Sequence, residues 1–248
     1  MKKILALILA MCLLCMMAVG TTLTYFTDED GDVNTMVVGK VEIEQIEQKH
    51  DENGALVNLA ANADGITSLG RLYPYTGGAD VDGWFSTANN AVDKIVTVKN
   101  TGSEAAYVRT IFAFEMMAIK DANDQITGWN NPFDNADGKV EIHLNGAVTM
   151  TDVTFKKGDV QYVVGYCTYE DALAKDATTA PSLKQFYLDS SVFNGFADAI
   201  GGSYEILVIS QAVQTQGFTA EGSKTVAQTA LDKAFGEINT ANAAKWFD

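Results

Sequence analysis

The sequence predicts a mainly β protein, an antiparallel β-sandwich with a C-terminal α-helix and, ahead of it, an N-terminal signal helix. Three observations carry this. Short runs of β-branched and aromatic residues fill the middle of the chain, with Gly, Asn and Asp between them. The spacing becomes helical only near the end, at Val226, Ala230, Leu231, Ala234, Phe235 and Ile238. At the start, Lys2 and Lys3 precede an uncharged apolar run from Ile4 to Val19, the pattern of a secretory signal.

Residues 1–24 are read as that signal. A cut between Thr24 and Tyr25 has small residues at Thr22 and Thr24; an alternative cut follows Gly20, where Ala18-Val19-Gly20 fits the same small-x-small rule. The charge-free stretch from Ile4 to Phe26 also reaches the length of a bilayer span, about 20 residues. A retained anchor is therefore the alternative, although Gly20, Thr21, Thr22 and Thr24 add little apolar surface. Cys12 and Cys15 follow the bulky Met11 and Leu14, where lipid attachment wants a small residue.

Residues 25–248 then form one sandwich domain. Val37–Glu47 reads as its first strand, with Val41 and Ile43 alternating against Glu42 and Glu44; Ile46 breaks the alternation, which suggests a bulge or the strand's end. Residues 51–90, rich in Gly, Asn, Asp and Ala, are read as a loop-rich insertion with short strands. Val92–Asn100 is a strand with Val96 and Val98 on one face, Asn100-Thr101-Gly102-Ser103 a turn, and Tyr107–Met116 the next strand, so the three predict a hairpin in the middle of the sandwich. In that last strand Val108, Thr110, Phe112, Phe114 and Met116 share one face, and Tyr107, Arg109, Ile111, Ala113 and Glu115 the other.

Further on, Asp121–Gln125 and Asn135–Gly138 are turns, and Val140–Leu144 is a short strand. Lys156–Asp159 is a turn that opens the strand Val160–Tyr169. Glu170–Ser191 reads as a short helix and then a loop around Pro181. Tyr204–Val213 is apolar on both faces and predicts a central, covered strand. A single amphipathic helix closes the chain over about 224–246, with Ser223 as its N-cap, Gly236 weakening its interior and Trp246-Phe247 near the end.

The formal charge of −15 becomes −17 once Lys2 and Lys3 leave with the signal. A surface so acidic repels nucleic acid and anionic lipid, so membrane contact is expected only through an uncleaved signal. After processing only Cys167 remains, which leaves no intrachain disulfide; it sits in the apolar run Tyr162–Cys167 and is expected in the core.

Three sequence stretches carry a family resemblance. They are Thr24-Tyr25-Phe26-Thr27-Asp28 with Val38-Gly39-Lys40-Val41-Glu42-Ile43, Ile95–Arg109, and Ser210-Gln211-Ala212-Val213-Gln214-Thr215-Gln216-Gly217-Phe218. In this order, behind this signal, the chain resembles the TasA/camelysin-like proteins of Gram-positive bacteria. The resemblance implies a jelly-roll-like β-sandwich, export through a SipW type of signal peptidase, and residence in the cell wall or extracellular matrix. It also implies self-association into biofilm fibres in which the mature N-terminal segment completes the next subunit's sheet. On that reading Tyr25, Phe26, Met36 and Val38 form the assembly segment. The resemblance brings a metallopeptidase label as well.

The residues offer that label little. His50 and His143 are the only histidines and belong to no His-Glu-x-x-His sequence, and a zinc hydrolase needs about three protein ligands and a base. There is no Gly-x-Ser-x-Gly elbow, phosphate loop, dinucleotide fingerprint or Cys-x-x-Cys pair. Asp28–Asn34 resembles the opening of an EF-hand, but the Gly stands at the fourth position and Gly39 at the twelfth, so a solvated acidic segment is expected. No catalytic, metal or cofactor residues are assigned, and a non-enzymatic structural role is expected. A non-polymerising adhesin or glycan-binding sandwich is the alternative, with Tyr73, Trp84 and Trp129 able to stack on sugars.

Overall fold

The computed structural model describes residues 27–30, 41–60, 69–78, 81–134, 140–192 and 203–248. The predicted signal segment and the predicted turn at Asn135–Gly138 lie outside these residues. The strands are β1 (Thr27–Asp30), β2 (Ile43–His50), β3 (Leu56–Asn58), β4 (Val92–Asn100), β5 (Ala106–Glu115), β6 (Met117–Lys120), β7 (Ile126–Asn130), β8 (Ile142–Gly146), β9 (Thr149–Lys157), β10 (Val160–Leu173), β11 (Leu183–Leu188) and β12 (Ile206–Gln214). The helices are α1 (Val226–Phe235) and α2 (Thr240–Trp246).

One five-stranded sheet has the order β1-β12-β5-β10-β9, a second the order β3-β2-β4-β11-β8, and β6-β7 form a separate hairpin. All the strand pairings are antiparallel. The two large sheets meet face to face. Phe112, Phe114, Val163 and Ile206 of the first pack with Val96, Ile142, Leu183, Phe186 and Leu188 of the second. The expected alternation in β5 holds: Phe112 and Phe114 look into this layer, while Ile111 and Ala113 look out towards α2.

The outer face of the first sheet is covered in turn. Ala243 and Phe247 pack on Ile111, Tyr162, Val164, Leu207 and Ile209. Ala230 and Leu231 of α1 pack on Val213 and Phe218. Strand β12 is thereby buried on both faces, as its two-sided apolar pattern predicts. Arg109, 2% exposed, clasps α1 to the sheet: Nε donates to Gln211 Oε1 (2.7 Å), Nη1 to Asp232 Oδ1 (2.8 Å) and Nη2 to the Gly236 carbonyl (2.8 Å).

Five expectations need correction. The single C-terminal helix is two. Gly236 takes φ +95°, a left-handed value that suits glycine, and Asn239 caps a new helix by accepting from the Asn242 amide. The N-cap of α1 is Thr225 rather than Ser223, because Thr225 and Gln228 close a reciprocal capping box. Strands β4 and β5 are not a hairpin but lie in different sheets. Buried Asn100 builds the corner between them, donating from Nδ2 to the Glu104 and Leu173 carbonyls and accepting the Gly102 amide on Oδ1.

Residues 170–191 hold strand in place of the expected helix: β10 runs on to Leu173, and β11 inserts between β4 and β8. Finally, β2 continues through Ile46 with no shift in its register against β4. Its inward face changes from Val41 and Ile43 to Gln45 and Glu47, which enter a buried polar belt. There Lys94, fully buried, donates to Glu47, and Gln45 Nε2 donates to Glu47 Oε1 (3.0 Å). Ser210 Oγ donates to Gln45 Oε1 (2.7 Å) and lies 3.2 Å from Thr110 Oγ1, so the belt joins the two sheets.

A buried ammonium is tolerated only with its counter-charge. Glu47→Ala therefore destabilises the fold by about 3–5 kcal/mol. The double variant Lys94→Met/Glu47→Leu, which removes both charges and keeps the volume, stays close to wild type. Urea denaturation of the three proteins checks this; an equal loss in the single and double variants contradicts it.

Candidate functional site

The open question in a sheet is its edge, where one row of amides and carbonyls lacks a neighbour. In the first sheet the edge at β12 is occupied by β1, paired as Thr27 with Val213, Asp28 with Ala212, Glu29 with Gln211 and Asp30 with Ser210. On its other side β12 pairs with β5 along its whole length, from Ile206 opposite Phe114 to Gln214 opposite Ala106. The occupant is unusual in composition. Three of its four residues are carboxylates, and Asp is depleted in strands. Its pairing with β12 runs through main-chain hydrogen bonds, each worth about 0.5–1.5 kcal/mol net.

Sequence reasoning placed the assembly segment around this strand. Thr24, Tyr25, Phe26, Met36 and Val38 lie outside the described residues. The four residues that follow Phe26 are the ones seen on the β12 edge. Sequence reasoning took Asp28–Asp30 for part of a solvated acidic segment; in the structure their backbone is extended and paired with β12. Alternation gave no signal for β1, because an edge strand without apolar residues leaves no hydrophobic pattern to read.

The two histidines are brought into separate pairs on the second sheet. His50 Nδ1 lies 2.8 Å from Asp93 Oδ2, whose carboxylate also accepts the His50 amide and, on Oδ1, the Gln185 amide. The Trp84 ring meets His50 edge-on at 4.8 Å. His143 Nε2 lies 3.0 Å from Asp189 Oδ2 and stacks on Tyr187. Hydrogen bonds from Ser191 hold the Asp189 carboxyl below its ordinary pKa. Among the described residues, no group of three or more His, Cys, Asp and Glu side chains is arranged to hold a metal ion.

Of the three aromatic residues considered for sugar stacking, Tyr73 is exposed beneath Arg71, Trp84 lies beneath Lys184, and Trp129 packs against the main core. Among the described residues no ring contact joins them. Cys167 is buried, and burial raises its thiol pKa, which keeps it protonated and unreactive.

Sequence reasoning gave one group its face in β5 but no role. Glu115 ends β5 on the outer face, 8% exposed, where its Oε2 accepts the Glu205 amide at 3.2 Å. Tyr204 donates to the Glu115 carbonyl and Tyr162 to Glu205 Oε2. Burial pushes the Glu115 carboxyl up to about 7, and the nearby Glu205 charge adds to the rise. A glutamate closing an apolar strand looks like an ordinary surface residue in sequence, and only the packing around it shows otherwise.

No family model matches the sequence, and no curated protein or solved structure matches it.

The Glu115 shift sets a pH dependence. Its folded value lies above the ordinary 4.5, so between those limits the folded protein binds more protons than the unfolded chain. This contribution to stability is full below about 4.5 and is lost as pH rises through about 7. Glu115→Gln removes the loss, so the variant gains on wild type as pH rises and exceeds it at pH 8. Urea denaturation at pH 5 and pH 8 checks this; parallel changes in the two proteins count against it.

Proposed function

We propose that this chain is an exported structural protein, a jelly-roll-like subunit that builds an extracellular fibre or biofilm matrix by strand addition. The observation that carries the reading is the β12 edge, filled by a four-residue acidic strand just after the predicted cleavage site. An edge whose occupant pairs with it through the main chain can take the same strand from another copy. Exchange costs no new type of contact. It substitutes the neighbour's Thr27–Asp30 for the chain's own, and each subunit that receives a strand has its own strand free to give.

Processing supplies the switch. Before the cut the segment is tethered to the membrane through residues 1–24. Cleavage between Thr24 and Tyr25, or after Gly20, by a peptidase of the SipW type releases the strand together with Tyr25 and Phe26. In the neighbour, Tyr25, Phe26, Met36 and Val38 then fill apolar sites beside the shared edge. The resemblance to TasA/camelysin-like proteins supports the same reading, as does the absence of a hydrolase motif in the sequence.

Electron microscopy and size-exclusion chromatography test it. The processed protein forms filaments. A variant lacking Tyr25–Val37 stays monomeric and folded, with its β12 edge open. A synthetic peptide spanning Tyr25 to Val38, added to that variant, binds and protects the β12 amides from hydrogen exchange. Filaments from the deletion variant, or a peptide that leaves β12 exchange unchanged, overturn the proposal.

A further inference from the structure

The two C-terminal helices do not close over the whole outer face of the first sheet. Beside α1 and the linker that follows it lies a cleft of about 430 Å³. Its floor is Arg109 of β5 with Thr151, Tyr166 and Thr168 of β9 and β10, and its walls are Gln228 and Asp232 of α1 with Glu237 and Ile238 of the linker. The volume falls in the range of small-ligand sites, about 300–1,000 Å³.

The charges in this cleft are already balanced. Arg109 is held by Asp232, and Lys224 is held by both Asp232 and Glu237. Two cations meet two carboxylates, so the cleft exerts little net pull on an ion of either sign. Several neutral groups, by contrast, are uncommitted. Among the described residues, no hydrogen bond occupies the Tyr166 hydroxyl, the Thr168 hydroxyl or the Gln228 Nε2; the Gln228 Oε1 serves the α1 capping box. Asp232 and Glu237 retain lone pairs beyond those they give to cations. The Tyr166 ring, Val153 and Ile238 add apolar surface.

We propose that this cleft binds a neutral saccharide. A sugar ring presents hydroxyls that both donate and accept and an apolar C–H face that rests on an aromatic ring. That set matches free hydroxyl and amide groups, carboxylate acceptors and one tyrosine ring. A peptide strand matches less well. Strands β5 and β10, which carry Arg109, Tyr166 and Thr168, are paired on both sides within the sheet and offer it no main-chain edge. A phosphate or uronate matches poorly, because both cations are engaged by carboxylates. The site is separate from Tyr73, Trp84 and Trp129, and it does not depend on the protein forming fibres.

Saturation-transfer NMR and calorimetry on the purified monomeric protein test it, with maltotriose, cellotriose and chitotriose as probes and trigalacturonate as the anionic control. At least one neutral probe binds, and trigalacturonate does not. Tyr166→Ala weakens the neutral probe by about tenfold or more, and Tyr166→Phe, which removes only the hydroxyl, by a few-fold. Gln228→Glu keeps the capping acceptor and loses the amide donor, so it also weakens binding while leaving thermal unfolding near wild type. The proposal fails if none of the three neutral probes binds. It fails equally if trigalacturonate or an unrelated peptide is preferred, or if binding survives Tyr166→Ala and Gln228→Glu in folded protein.

Discussion

Strand β12 is covered on both faces, and a covered strand cannot readily leave one of its sides without hydrogen-bond partners. Residues Ile206, Leu207 and Ile209 to Val213 are buried between the second sheet and the helices. A buried amide or carbonyl left unpaired costs about 1–3 kcal/mol. On one side β5 meets this need along the whole strand. On the other, β1 meets it for Ser210 to Val213. The burial that makes β12 part of the core therefore also favours a strand at its edge, a place taken in this structure by the chain's own β1. Structure and proposed assembly follow from that one requirement.

The polar groups inside the molecule are arranged around the same strand. Ser210 faces inward and takes part in the belt through Gln45, Glu47 and Lys94, which fixes how the second sheet sits over the first. Gln211 faces outward and accepts from Arg109, which fixes α1 on the opposite face. Apolar contacts favour burial without choosing a register; directional bonds at two successive residues of β12 choose one on each face. The edge offered to β1 is thus a rigid template, held from above and below independently of what pairs with it.

Sequence reasoning reached the parts of this fold in which side chains report burial by type. Strands β5 and β12 were legible because Phe112, Phe114, Ile206 and Val208 mark one face and Ile111, Ala113, Leu207 and Ile209 the other. Strand β11 was not. Its pairing shifts register between Leu183 and Gln185, so Leu183, Phe186 and Leu188 reach the core out of simple alternation. The Asn100 corner misled because Asn-Thr-Gly-Ser suits a hairpin turn, whereas the buried Asn100 amide ties the chain to Leu173 on its way to the other sheet. The burial of Glu47 and Lys94 leaves no mark in the apolar pattern, because it rests on their pairing with each other. As for the site, the sequence singled out residues 25–38 only through their place after the predicted signal, and a strand of three carboxylates carries no mark of the edge it occupies.

The break at Gly236 has the widest consequence of these local details. A continuous helix over residues 224–246 would lie as one rod across the sheet. With the break, α1 stays over β12 and β5 while α2 turns to pack near β9, and the linker residues Glu237 and Ile238 are left lining the gap. An alanine at 236 would have to take a left-handed backbone, and its Cβ would come within 2.5 Å of Asn242 Nδ2. The same Asn242 side chain donates to the Glu237 carbonyl, and its amide is held by Asn239, so the turn is fastened from both ends. One glycine therefore separates two surfaces that a single helix would have merged. The helices bury β12, and the space beside α1 and its linker leaves Tyr166, Thr168 and Gln228 facing solvent with hydrogen bonds still to give.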